Sequence, residues 1–269
     1  MVVKTQNKQS IRALILDMDG VLWRQSQPIG DLPYIFEQIK KKGWKVALVT
    51  NNATLTVQQY LEKLREFGVE LQENQIINSP QAVSHYMLQH YPQGSKVFII
   101  GEDGLREEIS KHGFQIAEKE VAAVIVGMDR QLTYDKLCRA TINIRSGAAF
   151  IATNGDRTFP TPEGLVPGVG AVLALLETAS DKKPIILGKP EPLLYEIAIE
   201  HMQSEPMETL VVGDRLETDI LGAQKIGLPC AVVLSGVSTI SDIDKWQPKP
   251  NYIFKDLQEL IDKLDPQYD

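Results

Sequence analysis

Along this chain, short unbroken runs of aliphatic residues alternate with stretches in which apolar positions recur every three or four residues. The first kind reads as buried parallel strands, the second as helices laid against them. Ala13-Leu14-Ile15-Leu16 is the clearest run and leads directly into Asp17-Met18-Asp19-Gly20-Val21-Leu22. Leu32, Ile35, Phe36 and Ile39 then mark one face of a helix that Gly43 ends. A second run at 46–49 delivers Thr50-Asn51-Asn52, and Thr56-Val57-Gln58-Gln59 has the form of a capping box. Behind it Val57, Tyr60, Leu61, Leu64 and Phe67 make the next helical stripe, stopped by Gly68. Further strands are predicted at Lys96–Ile100, 121–126 and 148–152, then at 184–187, 209–212, 230–234 and Tyr252–Phe254. Helices are predicted near 191–202, 217–226 and 255–264.

This alternation predicts an α/β protein. The strand grammar of the first eighty residues resumes near Pro184, which predicts a core from 1–79 and 183–269 interrupted by an inserted α/β domain, 80–182. Asn78-Ser79-Pro80 and Asp181-Lys182-Lys183-Pro184, both polar and proline-punctuated, are the expected hinges. A single sheet holding every strand is the alternative. Gly168-Val169-Gly170 imitates a nucleotide-binding loop but follows no clean strand, so it reads as a helix start returning to the core.

Composition narrows the partners. With 43% apolar and 23% charged residues in 269, the chain has the make-up of a soluble globular protein. A net charge of −7 argues against binding nucleic acid or an anionic membrane, and Lys40-Lys41-Lys42 sits at a helix end, where cations favour the dipole. Two distant cysteines, Cys138 and Cys230, exclude a disulfide framework and a zinc site and read as buried thiols of a reducing cytoplasm. The polar segment 1–10 lacks the apolar region of a secretory signal. No apolar run approaches the roughly 18 residues of a membrane span.

The carboxyl ends of parallel strands are where α/β sheets bind ligands. Asp17 and Asp19, at i and i+2, point the same way while the backbone stays extended, and Gly20 lets the chain turn off the sheet. Two carboxylates forced together need a compensating cation, and Mg²⁺ suits one or two carboxylates plus a phosphate. A calcium loop is excluded, because Val21, Leu22 and Trp23 offer no ligands. Three more predicted strand ends supply matching parts: Thr50, Lys189 in Gly188-Lys189-Pro190, and Asp214 and Asp219 in Gly213-Asp214-Arg215-Leu216-Glu217-Thr218-Asp219. Singly, Thr50 reads as a helix cap, Lys189 as a solvated lysine and Asp214 as an N-cap; together they compose one phosphate site.

These four segments, in this order, resemble the motifs of the haloacid dehalogenase superfamily. Thr50-Asn51-Asn52, Val126-Gly127-Met128-Asp129, Ala152-Thr153-Asn154-Gly155-Asp156 and the string from Val212 to Leu221 resemble its branch of NagD-type, 4-nitrophenylphosphatase and phosphoglycolate phosphatase enzymes. The resemblance implies a Rossmann-like core with an inserted cap of the α/β (C2) type. It implies Asp17 as nucleophile, Asp19 as general acid and base, and Mg²⁺ held by Asp17, the Asp19 carbonyl and Asp214. Thr50, Asn51 and Lys189 would bind phosphate, with Asn52 and Asp219 behind them and Asp219 orienting Lys189 or a metal-bound water. Arg215 reads either as a salt-bridge partner for the acidic cluster or as a substrate contact. In the cap, Asp129, Arg130, Gln131 and Tyr134, with Asn154 and Asp156, would read the leaving group; their plainer reading is a helix start and an ordinary turn. The implied activity is Mg²⁺-dependent hydrolysis of small phosphorylated metabolites, phosphoglycolate or sugar phosphates among them, with 4-nitrophenyl phosphate as artificial substrate. The alternatives are a nucleotide 5′-monophosphatase, a phosphomutase and a catalytically idle binding module. Caps pair in many members of this branch, so a homodimer is one assembly the resemblance allows.

Overall fold

The computed structural model describes residues 10–161 and 163–264. The polar N-terminal segment therefore lies, but for Ser10, outside the described residues. The chain divides into two compact units, one of Met1–Thr50, Tyr60–Ile77 and Lys189–Asp269, the other of Asn51–Gln59 and Asn78–Gly188.

The first unit is built on a six-stranded sheet in the order Tyr252–Phe254, Cys230–Val233, Thr209–Gly213, Ala13–Leu16, Lys45–Thr50, Ile76–Asn78. Ala13–Leu16 pairs in parallel on both sides, with Leu16 opposite Val212 on one and Leu48 on the other. All four of its residues are buried, which is why the run has no polar alternation. The helix Leu32–Lys41 starts where the Asp31 carboxylate accepts the Tyr34 N–H and buries Leu32, Ile35 and Ile39. Lys40 and Lys41 lie in its last turn and Gly43, at φ +69°, closes it.

The second unit has its own parallel sheet, in the order Ile185–Ile186, Ala149–Ala152, Ala123–Val126, Lys96–Ile100, Gln115–Ile116, plus the hairpin Thr158–Thr161/Gly164–Pro167. One core cluster gathers Phe98, Ile100, Val124, Val126, Ile144, Phe150, Leu173 and Leu176. Two separate sheets replace the single-sheet alternative.

The structure moves several sequence-based assignments. Residues 184–187, read as a strand of the core, supply instead the edge of the second sheet: Ile185 pairs with Ile151, Ile186 with Ala152, and the Leu187 N–H donates to the Ala152 carbonyl. The boundary thus falls at Gly188, past the predicted residue 183. Segment 51–59 also groups with the second unit, where the Gly104 N–H bonds the Thr54 carbonyl and Asn78 Nδ2 the Leu55 carbonyl. Asn78-Ser79-Pro80 is an ordered cap of the helix Ser79–His90, with Asn78 and Gln81 exchanging side chain–backbone bonds. The helix Val169–Ser180 does begin at Gly168, but it buries Val169, Leu173 and Leu176 in the second unit rather than returning to the first. Cys230 is buried and Cys138 only half-buried, both as free thiols. No helix among the described residues is long and apolar enough to cross a membrane.

Candidate active site

Three strands of the first sheet end side by side, Ala13–Leu16 between Lys45–Thr50 and Thr209–Gly213, and each hands over to a polar residue at its carboxyl end. The Asp17 N–H still bonds the Val212 carbonyl, so its side chain leaves the sheet from a fixed backbone. Lys189 arrives differently. It follows the edge strand of the other sheet, and its ammonium, almost wholly buried, donates to Asp17 Oδ1 at 2.6 Å, Asp219 Oδ1 at 2.6 Å and the Val49 carbonyl at 3.2 Å. Thr50 is buried at the end of its own strand.

Asp214 begins the segment that carries the other carboxylates. Its Oδ2 accepts the Val237 N–H at 2.7 Å and its carbonyl accepts the Ser238 N–H at 3.0 Å. A Cβ on Gly236 would fall 1.9 Å from Asp214 Oδ2, and one on Gly20 would fall 2.5 Å from the same atom, so two glycines leave the room this carboxylate occupies. The predicted helix at 217–226 opens as a wide π-helical turn, Leu216–Ile220, before the regular Leu221–Lys225. Asp219 Oδ2 takes the Arg215 N–H at 3.1 Å, which turns this carboxylate inward.

The electrostatics are unbalanced. Asp17, Asp214 and Asp219 bring one oxygen each within 4.8 Å of the others, and among the described residues one ammonium, that of Lys189, pairs with them. Burial pushes Asp17 well above the usual carboxylate range, and neighbouring Asp219 and Asp214 add to it against the pull of Lys189. Burial, then Asp219, raises Asp214 to about 7. For Lys189, burial works against the charge, but Asp17 and Asp219 outweigh it and hold the ammonium well above its ordinary value. Asp214 Oδ1 is buried with no hydrogen-bond partner among the described residues. An orphaned carboxylate oxygen in a site with surplus negative charge fits a hard divalent cation. Asp219, with both oxygens engaged, is a brace for Lys189, which leaves Asp17 and Asp214 as the side chains to hold such an ion.

Asp19 is exposed, and its Oδ1 accepts the indole N–H of Trp23 at 2.9 Å. Tyr60, buried behind the same carboxylates, is kept neutral by burial and by the Asp19 charge. Arg215 makes no ion pair among the described residues, though its charge helps lower Asp214.

The remaining predicted residues lie in the second unit. Asn154 is buried, and its Nδ2 donates to the Asn51 carbonyl at 2.9 Å, which also receives the Ser79 hydroxyl at 2.7 Å. Asp156 Oδ2 lies 3.4 Å from Asn51 Nδ2. Asn52 Oδ1 receives the N–H and hydroxyl of Thr54, an ordinary turn bond. Asp129 is paired with Lys136 at 2.7 Å, and Arg130 is gripped by Glu102 through its backbone N–H, Nε and Nη2. Gln131 and Tyr134 are exposed, Tyr134 at 82%. Sequence reading missed Trp23, Glu102, Lys136 and the 235–238 turn, since each touches a candidate site residue through a contact that only the fold creates.

Comparison with known proteins identifies the family. Residues 14–115 match the family described as "Haloacid dehalogenase-like hydrolase", and residues 186–260 a related description of the same hydrolases. The acid sugar phosphatase of Staphylococcus aureus is 34% identical over 255 residues, 94% of this chain and 98% of the relative. The 4-nitrophenylphosphatase of Thermotoga maritima superposes with a TM-score of 0.90 at 32% identity, over 95% of this chain and 98% of that one. A glycerol phosphate phosphatase of Mycobacterium tuberculosis, solved in complex with magnesium, gives 0.87 at 33% identity, over 93% of this chain and 76% of that one. The chain therefore belongs to the haloacid dehalogenase-like hydrolases, in the branch that holds NagD and the 4-nitrophenylphosphatases, and it is a phosphatase.

Proposed function

We propose that this phosphatase is a Mg²⁺-dependent phosphomonoesterase of the cytoplasm that works through an aspartyl-phosphate on small phosphorylated metabolites. The observation that carries the reading is the placement of Lys189 against Asp17, with Asp214 Oδ1 buried without a hydrogen-bond partner among the described residues. Asp17 attacks phosphorus in line, and the ester P–O bond breaks as the carboxylate–phosphorus bond forms. Lys189 and the Thr50 hydroxyl receive charge on the phosphoryl oxygens, with the backbone at Asn51 alongside. Asp19 gives a proton to the departing alkoxide, then takes one from the water that releases phosphate and restores Asp17. Asp17, Asp214 and the Asp19 carbonyl would hold Mg²⁺, which supplies charge neutralisation and alignment of the reacting oxygens. Substrate choice is assigned to the second unit, through Asp129, Arg130, Gln131 and Tyr134, with Asn154 and Asp156 shaping the neighbouring strand end. Sugar phosphates are the favoured class, since a curated relative is an acid sugar phosphatase.

The test is hydrolysis of 4-nitrophenyl phosphate with Mg²⁺ and with EDTA, for wild type and Asp17→Asn. Activity that needs the metal and disappears in the variant supports the assignment; activity that survives Asp17→Asn overturns it. A panel of sugar phosphates, phosphoglycolate and nucleoside monophosphates then identifies the substrate class.

A further inference from the structure

The sequence leaves Trp23 without a task, and the fold gives it one. Its side chain is 1% exposed, and its only polar atom, the indole N–H, donates to Asp19 Oδ1 at 2.9 Å. An indole nitrogen donates and never accepts. We propose that Trp23 is a positioning residue for the acid–base step: it fixes Asp19 Oδ1 as an acceptor, so that the proton in transit is carried on Oδ2. The proposal rests on the reading of Asp19 as general acid and base.

The ring is held by groups that do not touch the chemistry. A tight turn brings Trp23 back on Asp19: Gly20 adopts φ +85°, its N–H bonds the Trp23 carbonyl at 2.8 Å, and the Leu22 N–H bonds the Met18 carbonyl at 2.8 Å. Trp23 and Arg24 pair with Gln27 and Pro28 in a short hairpin, and Arg24 Nε bonds the Ser235 carbonyl at 2.6 Å. The Lys63 ammonium lies 4.0 Å from the centre of the indole ring and donates to the Gln25 carbonyl at 2.9 Å, while Phe67 packs at 6.0 Å. Asp19 is exposed and without this bond would sample several rotamers. A rigid, buried donor holding one oxygen of an exposed carboxylate leaves the other oxygen in a single direction.

In the first half-reaction the Oδ2–H bond breaks, its proton passes to the leaving alkoxide, and the P–O ester bond breaks as Asp17 bonds phosphorus. In the second, water gives its proton to Oδ2 and its oxygen to phosphorus, releasing the Asp17 carboxylate. A defect in aiming Oδ2 therefore matters most where the leaving group most needs its proton.

The experiment measures kcat/KM of the Mg²⁺-loaded full chain for phosphate esters whose leaving groups run from 4-nitrophenol through phenol to a simple alcohol. Trp23→Phe is expected to lose about threefold on 4-nitrophenyl phosphate and about a hundredfold on the alkyl ester, within the range of general acid catalysis. A loss equal for all leaving groups, or none, overturns the proposal. If Trp23→Phe fails to fold, 3-benzothienylalanine at position 23 replaces only the N–H by sulfur and is judged by the same slope. Asp19→Ala, run in parallel, separates the two ideas. If its losses do not steepen with leaving-group basicity, the acid–base reading itself fails. If they steepen while those of the position-23 variants stay flat, only the role of Trp23 is lost.

Discussion

The Nζ of Lys189 lies 2.6 Å from Oδ1 of Asp17, so the carboxylate proposed as nucleophile and the cation that steadies it are bonded before any phosphate arrives. Lys189→Met is predicted to lose at least about a thousandfold in kcat, because transition-state charge loses its donor, and the same change removes the buried cation from among three carboxylates. Phosphate release assays and thermal melts of the metal-free protein check both halves; a melting temperature raised by the substitution would contradict the second.

Metal-free protein is predicted to be more stable at pH 5 than at pH 8. A carboxyl raised in the folded state contributes stability that is complete below its unfolded value of 3.8 and is lost as pH climbs to its folded value, about 7 for Asp214. Mg²⁺ should flatten this slope by favouring the ionised carboxylates, and at a hundredfold excess over its dissociation constant should add about 2.7 kcal/mol at pH 8. Asp214→Asn should remove the Mg²⁺ response while raising the melting temperature of the metal-free protein at pH 8. Melts in EDTA and in Mg²⁺ across this pH range are the measurement.

Glu102 fixes Arg130 through three N–H donors, so Glu102→Gln is predicted to raise KM for the physiological ester several-fold and to leave kcat on 4-nitrophenyl phosphate nearly unchanged. The Arg130 side chain is 68% exposed, so stability should fall by no more than about 1 kcal/mol. A fall in kcat with an unchanged KM would count against this loop as a reader of the leaving group.

The Cys230 thiol is raised to about 11 by burial. Native protein at pH 8 should therefore be alkylated by iodoacetamide at Cys138 and not at Cys230, and denatured protein at both. Peptide mapping after a short exposure settles it.

How far the chain could be read depended on how local each signal is. Asp17 and Asp214 directly follow strands, and Thr50 ends one, whose apolar runs announce them, and the pairing of those strands is parallel. Residues 184–187 misled because a short apolar run says only that it is a strand. Which of two parallel sheets it joins depends on partners at 149–152, thirty residues away, and not on anything within it. Lys189 is legible as the ammonium that follows an apolar run and complements the carboxylates at the other strand ends, although the strand that delivers it belongs to the other sheet. Trp23 has no oxygen to offer a cation, so nothing in the local sequence marks it; its contact is one N–H aimed across a turn that Gly20 makes possible. The short helix Ile240–Lys245 escaped because only Ile243 of it is buried, so no apolar stripe marks it.

The strand order has a consequence for how the protein is made. Ala13–Leu16 lies between Lys45–Thr50 and Thr209–Gly213, so one of its edges finds its partner almost two hundred residues later in the chain. During synthesis the whole second unit leaves the ribosome before that edge can be covered, and loop closure over such a span is slow. Until then the nascent chain presents an apolar strand with open backbone groups, a template for pairing with other chains. Termination before Thr209–Gly213 is made would therefore leave that edge open, a route to aggregation rather than to a partly active enzyme.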